Sequence, residues 1–249
     1  MHELAANVRV RVTRSMPPLP TILERQIDQL WHKAAERVAA GGAGHLFNGR
    51  VFSADAITPT EITGHLTEYR RLVAQCEDHA LFESLGIRSL AVCGVLRCAG
   101  GVVIGRRPPA AIYQPGMWQL PPAGSVDAGA LCPDNTMDLR RQLLTELREE
   151  VGLGAGSVNG ARPLCLVEHG GSHVSDLGMM LTTRLEAAAM LAAHARNGNR
   201  EYDPLMVVPD AEIGAFVDAA GPTLVPPARE FLVRAGLLPP RYAIGAPCA

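Results

Sequence analysis

The run "LLTELREEVGL", Leu143 to Leu153, decides how this 249-residue chain is read. It places Glu146, Glu149 and Glu150 within five residues and ends on Gly152 and Leu153. Upstream, "MDLRRQLLTELREEV" has helical periodicity, with Leu139, Leu143, Leu147 and Val151 as its apolar stripe and Gly152 as its stop. At about 100° per residue the three glutamates fall in an arc of roughly 100°, on one side of the helix beside that stripe. Like charges at i and i+4 cost a few tenths of a kcal/mol when exposed and more when partly buried. Either the face is solvated or a hard cation neutralises it. Mg²⁺ prefers oxygen ligands and sites shared with substrate phosphates.

Before this helix lies "PPAAIYQPGMWQLPPAGSVDAGALCPDN", whose Gly and Pro content predicts loop. Before the loop, "SLAVCGVLRC" and "GVVIGRR" are two β runs joined through "AGG", which predicts a hairpin. After the helix, "PLCLVEH", "DLGMMLTTRL" and "LMVVP" predict strands, "EAAAMLAAHARNG" a short helix, and two further helices start near Asp210 and Pro227. At the other end of the chain, "VRVRVTR" reads as a half-exposed strand. "TILERQIDQLWHKAAERVAAGG" reads as a helix opened by a Thr21–Glu24 capping box and closed by Gly41, with Leu23, Ile27, Leu30, Ala34 and Val38 on its apolar face. Residues 57–85 carry both periods: Ile62, Gly64 and Leu66 alternate, while Tyr69, Leu72, Val73 and Cys76 step helically.

The order of hairpin, glycine-rich loop and glutamate helix resembles the Nudix hydrolases, whose motif runs G-x5-E-x7-R-E-U-x-E-E-x-G-U with U aliphatic. Glu146, Leu147, Glu149, Glu150, Gly152 and Leu153 fill its second half in register, and Gly124 fits the opening glycine. Two positions depart from it. Thr145 stands where the family has arginine. Between Gly124 and Glu146 lie 21 residues, seven more than the motif places there. The extra residues fall around "GALCPDN", a lengthened connection by composition, and Asp127 is the candidate for the motif's first glutamate. The resemblance spans roughly residues 89–236. It implies an α/β Nudix fold, a mixed β-sheet between α-helices. A smaller N-terminal α+β extension over 1–88 would precede a hydrolase domain over 89–249. It also implies hydrolysis of a phosphoanhydride with Mg²⁺ or Mn²⁺ held by Glu146, Glu149 and Glu150, the same three serving catalysis. Glu201, in the loop "NREYDPLMVV", reads first as a solvated acid, although some Nudix members carry a catalytic glutamate in such a loop.

"HLFNGRVF", His45 to Phe52, followed by "LGIRSLAVCGVL", resembles the front of the Nudix UDP-sugar diphosphatases, which also have a lengthened motif. That narrower resemblance implies a UDP-sugar cleaved to UMP and a sugar 1-phosphate. The alternatives are another nucleotide, such as a dinucleotide or a nucleoside triphosphate, or a sensor that binds nucleotide without cleaving it. Phe47 could then pack on a ring and Asn48 pair with a uracil edge or a sugar hydroxyl. Asn48-Gly49 would equally serve as a turn into a core strand. Arg106 and Arg107 could grip phosphate, and Tyr113 could stack on a base. Trp118 reads as core, and His169 and His173 as structural or exposed.

A net charge of −2 gives no nucleic-acid footprint. No apolar run approaches a membrane span, and "MHELAANVRVRV" has no apolar core of a secretory signal. Six scattered cysteines without zinc spacing read as free thiols of a cytoplasmic protein.

Overall fold

The computed structural model describes residues 1–41, 45–199 and 201–244. The β runs flanking "AGG" form the expected hairpin: β4 (Leu90–Ala99) turns into β5 (Gly101–Arg106), with Cys98 opposite Gly101. The two short strands β6 (Trp118–Gln119) and β7 (Ala123–Ser125) interrupt the loop that follows. Then come α4 (Leu139–Glu146), β8 (Asn159–Glu168), β9 (Ser175–Glu186), α5 (Ala187–Asn197), β10 (Leu205–Val208), α6 (Ile213–Ala220) and α7 (Pro226–Arg234). The strands make a seven-stranded sheet ordered β10-β5-β4-β9-β8, with β6 on β5 and β7 on β4. β4 and β9 run parallel and the other neighbours antiparallel, so the sheet is mixed.

Strand alternation decides what each face meets. Leu90, Val92 and Leu96 of β4 join the core under Leu139, Leu143 and Leu147 of the glutamate helix and Met190 of α5. Cys93 and Val95 face the other way, onto Ile213 and Val217 of α6 and Phe231 and Leu232 of α7. The mixed sheet thus lies between two helical layers, as the sequence implied. Leu143 and Leu147 are fully buried; truncating either to alanine would cost about 2–5 kcal/mol.

The first part of the chain gives β1 (Arg9–Val12), α1 (Thr21–Ala40), β2 (Arg50–Ile57), β3 (Glu61–Glu68), α2 (Tyr69–Glu77) and the short α3 (Phe82–Leu85). Segment 57–85 holds both elements its mixed periodicity suggested. Its three strands form a second sheet, β1-β3-β2. Phe52, Ala54, Ile62 and Leu66 from this sheet belong to the same core as the glutamate helix.

Two local expectations are corrected. Thr21 caps nothing: the residue preceding α1 is Pro20, without a side-chain cap. Glu24 instead reaches Arg70 and Arg71, each at 2.6 Å. Gly41 does close α1 as expected, in a right-handed conformation, φ −77°. Glycine is needed there because a Cβ would stand 2.4 Å from that of Ala110. The residues around "GALCPDN" are not a loose connection. Val12 N–H donates to Asn135 O at 2.9 Å and Met137 N–H to Val10 O at 2.8 Å, and Ala130 and Met137 are buried.

Among the described residues the cysteines are unpaired, and no helix is long and apolar enough to cross a membrane.

Candidate active site

Asp138 begins the glutamate helix, its carboxylate accepting from Arg141 N–H at 2.9 Å. Past Glu146 the helix widens into a π turn, Leu147–Val151, which Gly152 closes at φ 76°. Such single π turns break regular helix spacing and are frequent at functional sites. The three glutamates therefore do not share one face. Glu150 is buried, at 1% exposure. Glu146 is half-buried. Glu149 turns to solvent beside Arg148, its side chain 53% exposed.

Glu150 Oε2 accepts from Ala123 N–H at 2.8 Å, while its buried Oε1 has no hydrogen-bond partner among the described residues. Glu146 Oε1 accepts from Gln142 Nε2 at 2.7 Å, and Gln142 Oε1 accepts from Asp127 N–H at 3.2 Å. One buried glutamine thus ties the helix to the loop before it. Gly124 lies against this carboxylate: a Cβ there would stand 2.2 Å from Glu146 Oε1. That contact is a steric reason for glycine at this position.

Glu201 is the main difference from the sequence reading. It is half-buried and pairs with Arg107 at 3.4 Å. It also lines the cleft that holds Glu146, Asp127, Gly124 and Phe47. Burial pushes the Glu146 carboxyl up to about 7, with Glu201, Glu149 and Asp127 adding repulsion against the pull of Gln142. Burial first, then Glu201 and Glu146, hold Glu150 well above the usual carboxylate range. Such crowded acids are stabilised by a cation. Among the described residues no three His, Cys, Asp or Glu side chains are placed to hold a metal ion by themselves. The donor set still suits Mg²⁺, which keeps several waters and shares its shell with substrate phosphates, and the orphaned Glu150 Oε1 is the atom it would satisfy.

A second cavity of about 150 Å³ adjoins the cleft. It shares Tyr69, Gly124, Ser125 and Glu201 with the outer cleft. Arg107 and Tyr113 line it. Arg107 is held in place, donating to Tyr113 O at 2.9 Å and Gln119 Oε1 at 2.8 Å.

Two candidates lie elsewhere. Arg106, on the opposite face of β5, sits 5.6 Å from the Trp118 ring centroid and donates to Gly116 O. Asn48 contacts the start of α2: Oδ1 accepts from Arg70 N–H at 2.9 Å and Nδ2 donates to Glu68 at 3.4 Å. Its neighbour Phe47 is 84% exposed at the rim of the outer cleft. Trp118 packs on Phe216, His173 stacks on Phe82, and His169 pairs with Asp176. Sequence reasoning missed Asp176. Its signal is an acid inside the apolar strand "SDLGMML", at 4% exposure.

The chain is similar in structure to DR0079 from Deinococcus radiodurans, at 17% identity over 59% of this chain and 82% of that one, with a TM-score of 0.42. It is similar to a MutT protein from Methanosarcina mazei Go1, at 17% identity over 59% and 91%, with a TM-score of 0.40. An Ap4A hydrolase from C. elegans aligns at 14% identity over 51% and 86%, with a TM-score of 0.37. No protein-family model and no curated protein matches the chain.

Proposed function

We infer that this protein is a divalent-metal-dependent hydrolase of the Nudix type that cleaves the diphosphate of a nucleotide-sugar, most specifically a UDP-sugar, to a nucleoside monophosphate and a sugar 1-phosphate. The observation that carries this reading is the acid cluster. Glu146, Glu150 and Glu201 converge in and behind one cleft, two of them with raised proton affinity, and one buried oxygen has no partner. A merely structural cluster would cost stability without return.

Glu146, Glu150 and Glu201, together with substrate phosphate oxygens and water, would hold Mg²⁺ or Mn²⁺, with Glu149 joining by turning away from Arg148. The cation, when bound, offsets charge on the phosphoryl oxygens and makes water a better nucleophile. Gln142 fixes the Glu146 carboxylate, and Gly124 leaves room for it. Arg107, half-buried in the wall of the inner cavity and paired with Glu201, contributes a positive charge beside the cleft. The UDP-sugar assignment draws on the "HLFNGRVF" resemblance and on Phe47, an exposed aromatic at the cleft rim.

The test is a panel of UDP-glucose, ADP-ribose, a dinucleotide and a nucleoside triphosphate with Mg²⁺ or Mn²⁺, followed for monophosphate release. UDP-sugars should turn over fastest. Glu149→Gln and Glu150→Gln should each lower kcat by roughly 10²-fold or more, about 3 kcal/mol. In EDTA above neutral pH, Glu150→Gln should melt no lower than the parent, because it removes the cost of ionising a buried carboxyl there. Turnover of other nucleotides alone would discard the UDP-sugar assignment. Nucleotide binding without turnover would favour a sensor.

A further inference from the structure

The inner cavity is built differently from the acid cleft that opens into it. Tyr69, Leu72 and Val73 of α2 line it together with Ala91 and Val174. Two polar groups are set among these apolar surfaces. Ser89 is fully buried, and its hydroxyl has no hydrogen-bond partner among the described residues. Asp176 is held by His169, whose Nε2–H donates to Oδ2 at 2.5 Å. His169 Nδ1 lies 3.3 Å from Gln114 Nε2, from which it accepts. With Gln114 donating to Nδ1, the imidazole donates to Asp176 through Nε2; the Cys93 thiol is a second partner of this carboxylate, whose two oxygens can still accept from a further donor in the cavity.

The charges in the cavity exclude an anion. Its lining holds two carboxylates, Asp176 and Glu201, and one cation, Arg107, already paired with Glu201. A phosphate would meet more negative than positive charge. An uncharged ring that offers N–H or O–H groups would satisfy Asp176 and Ser89, and its faces would lie on the apolar walls.

We propose that this inner cavity is a recognition pocket for the uncharged, hydrogen-bond-donating ring at one end of the substrate, read by Asp176 and Ser89. This rests on reading the outer cleft as the diphosphate site, since the two spaces join at Gly124, Ser125 and Glu201. The shared chemistry, a neutral ring with polar hydrogens, belongs both to a nucleobase and to a hexose.

The experiment uses the full chain in EDTA, with uridine and methyl α-glucoside as separate neutral probes and saturation-transfer NMR as the readout. One probe should bind the parent protein, and its identity names the source of the ring. Asp176→Asn should weaken that binding by at least about tenfold, the loss of one charge-assisted hydrogen bond. Ser89→Ala should weaken it too, while its melting temperature holds or rises, because a buried hydroxyl without a partner is removed. A merely structural serine would leave binding unchanged. The proposal is overturned if neither probe binds the parent, if inorganic phosphate competes for the pocket, or if both variants bind as the parent does. Mn²⁺ titration of the same parent protein reads the outer cleft independently: no Mn²⁺ binding would remove the diphosphate reading whatever the neutral probes do.

Discussion

At the residue scale, the same side-chain type does different work according to what the fold puts beside it. Glu149 and Glu150 are adjacent in sequence, yet one is exposed beside Arg148 and the other is buried against Ala123 N–H. Asn48 shows how a plausible ligand contact can be committed elsewhere. Its amide is occupied by Arg70 N–H and Glu68, so it anchors the chain entering α2. Asn48→Ala should therefore lower stability by about 1 kcal/mol, a fall of roughly 2–4 °C in Tm for a protein of this size. Its kcat/KM should stay near that of the parent. Calorimetry beside steady-state kinetics checks this. A large loss of kcat/KM at unchanged Tm would return Asn48 to the substrate.

At the element scale, the segment around "GALCPDN" builds the glutamate helix. It bonds to β1 through Asn135 O and Met137 N–H. Ala130 O accepts from Asp138 N–H at 2.8 Å, and Asp138 is the residue that caps α4. Replacing residues 129–135 with two glycines removes the Val12–Asn135 and Asp138–Ala130 hydrogen bonds. The variant should lose at least ~2 kcal/mol, at about 1 kcal/mol net for each, and activity should fall with the loosened helix. Denaturant unfolding measures it. An unchanged midpoint would show that the segment is only a connection.

At the scale of the whole molecule, the buried acids link stability to pH. Glu146 binds its proton up to about 7 in the folded chain, and Glu150 holds its own well above the usual range. The unfolded chain releases both near 4.5. Between those values the folded state carries more protons, so metal-free stability falls as pH rises. Burial lowers His65 and His194 below 6.5, which works the opposite way, but only below that pH. The window from 6.5 upward thus belongs to the glutamates. In EDTA, Tm should drop as pH rises above 6.5, Mn²⁺ should restore most of the loss, and Glu150→Gln should flatten the slope. Melting curves across pH decide it; a flat or rising metal-free profile would contradict the burial of these acids.

The sequence by itself determined whatever is set by neighbours along the chain. The β4–β5 hairpin follows from two apolar runs around "AGG". The two-sided core follows from alternation in β4, and the glutamate helix from its leucine spacing and Gly152. The position of Glu146 and Glu150 in the glutamate motif was legible for the same reason. Tertiary structure decided what depends on residues far apart in sequence. Arg107 meets Glu201 across the cleft, which made a loop acid part of the site. The π turn separated Glu149 from its neighbours, and packing against β1 gave the inserted residues a structural role. Asp176 became a cavity residue because β9 pairs parallel with β4. Local spacing reports which face a side chain takes; only the closed fold sets what it meets there, because burial and charge act through space rather than along the chain.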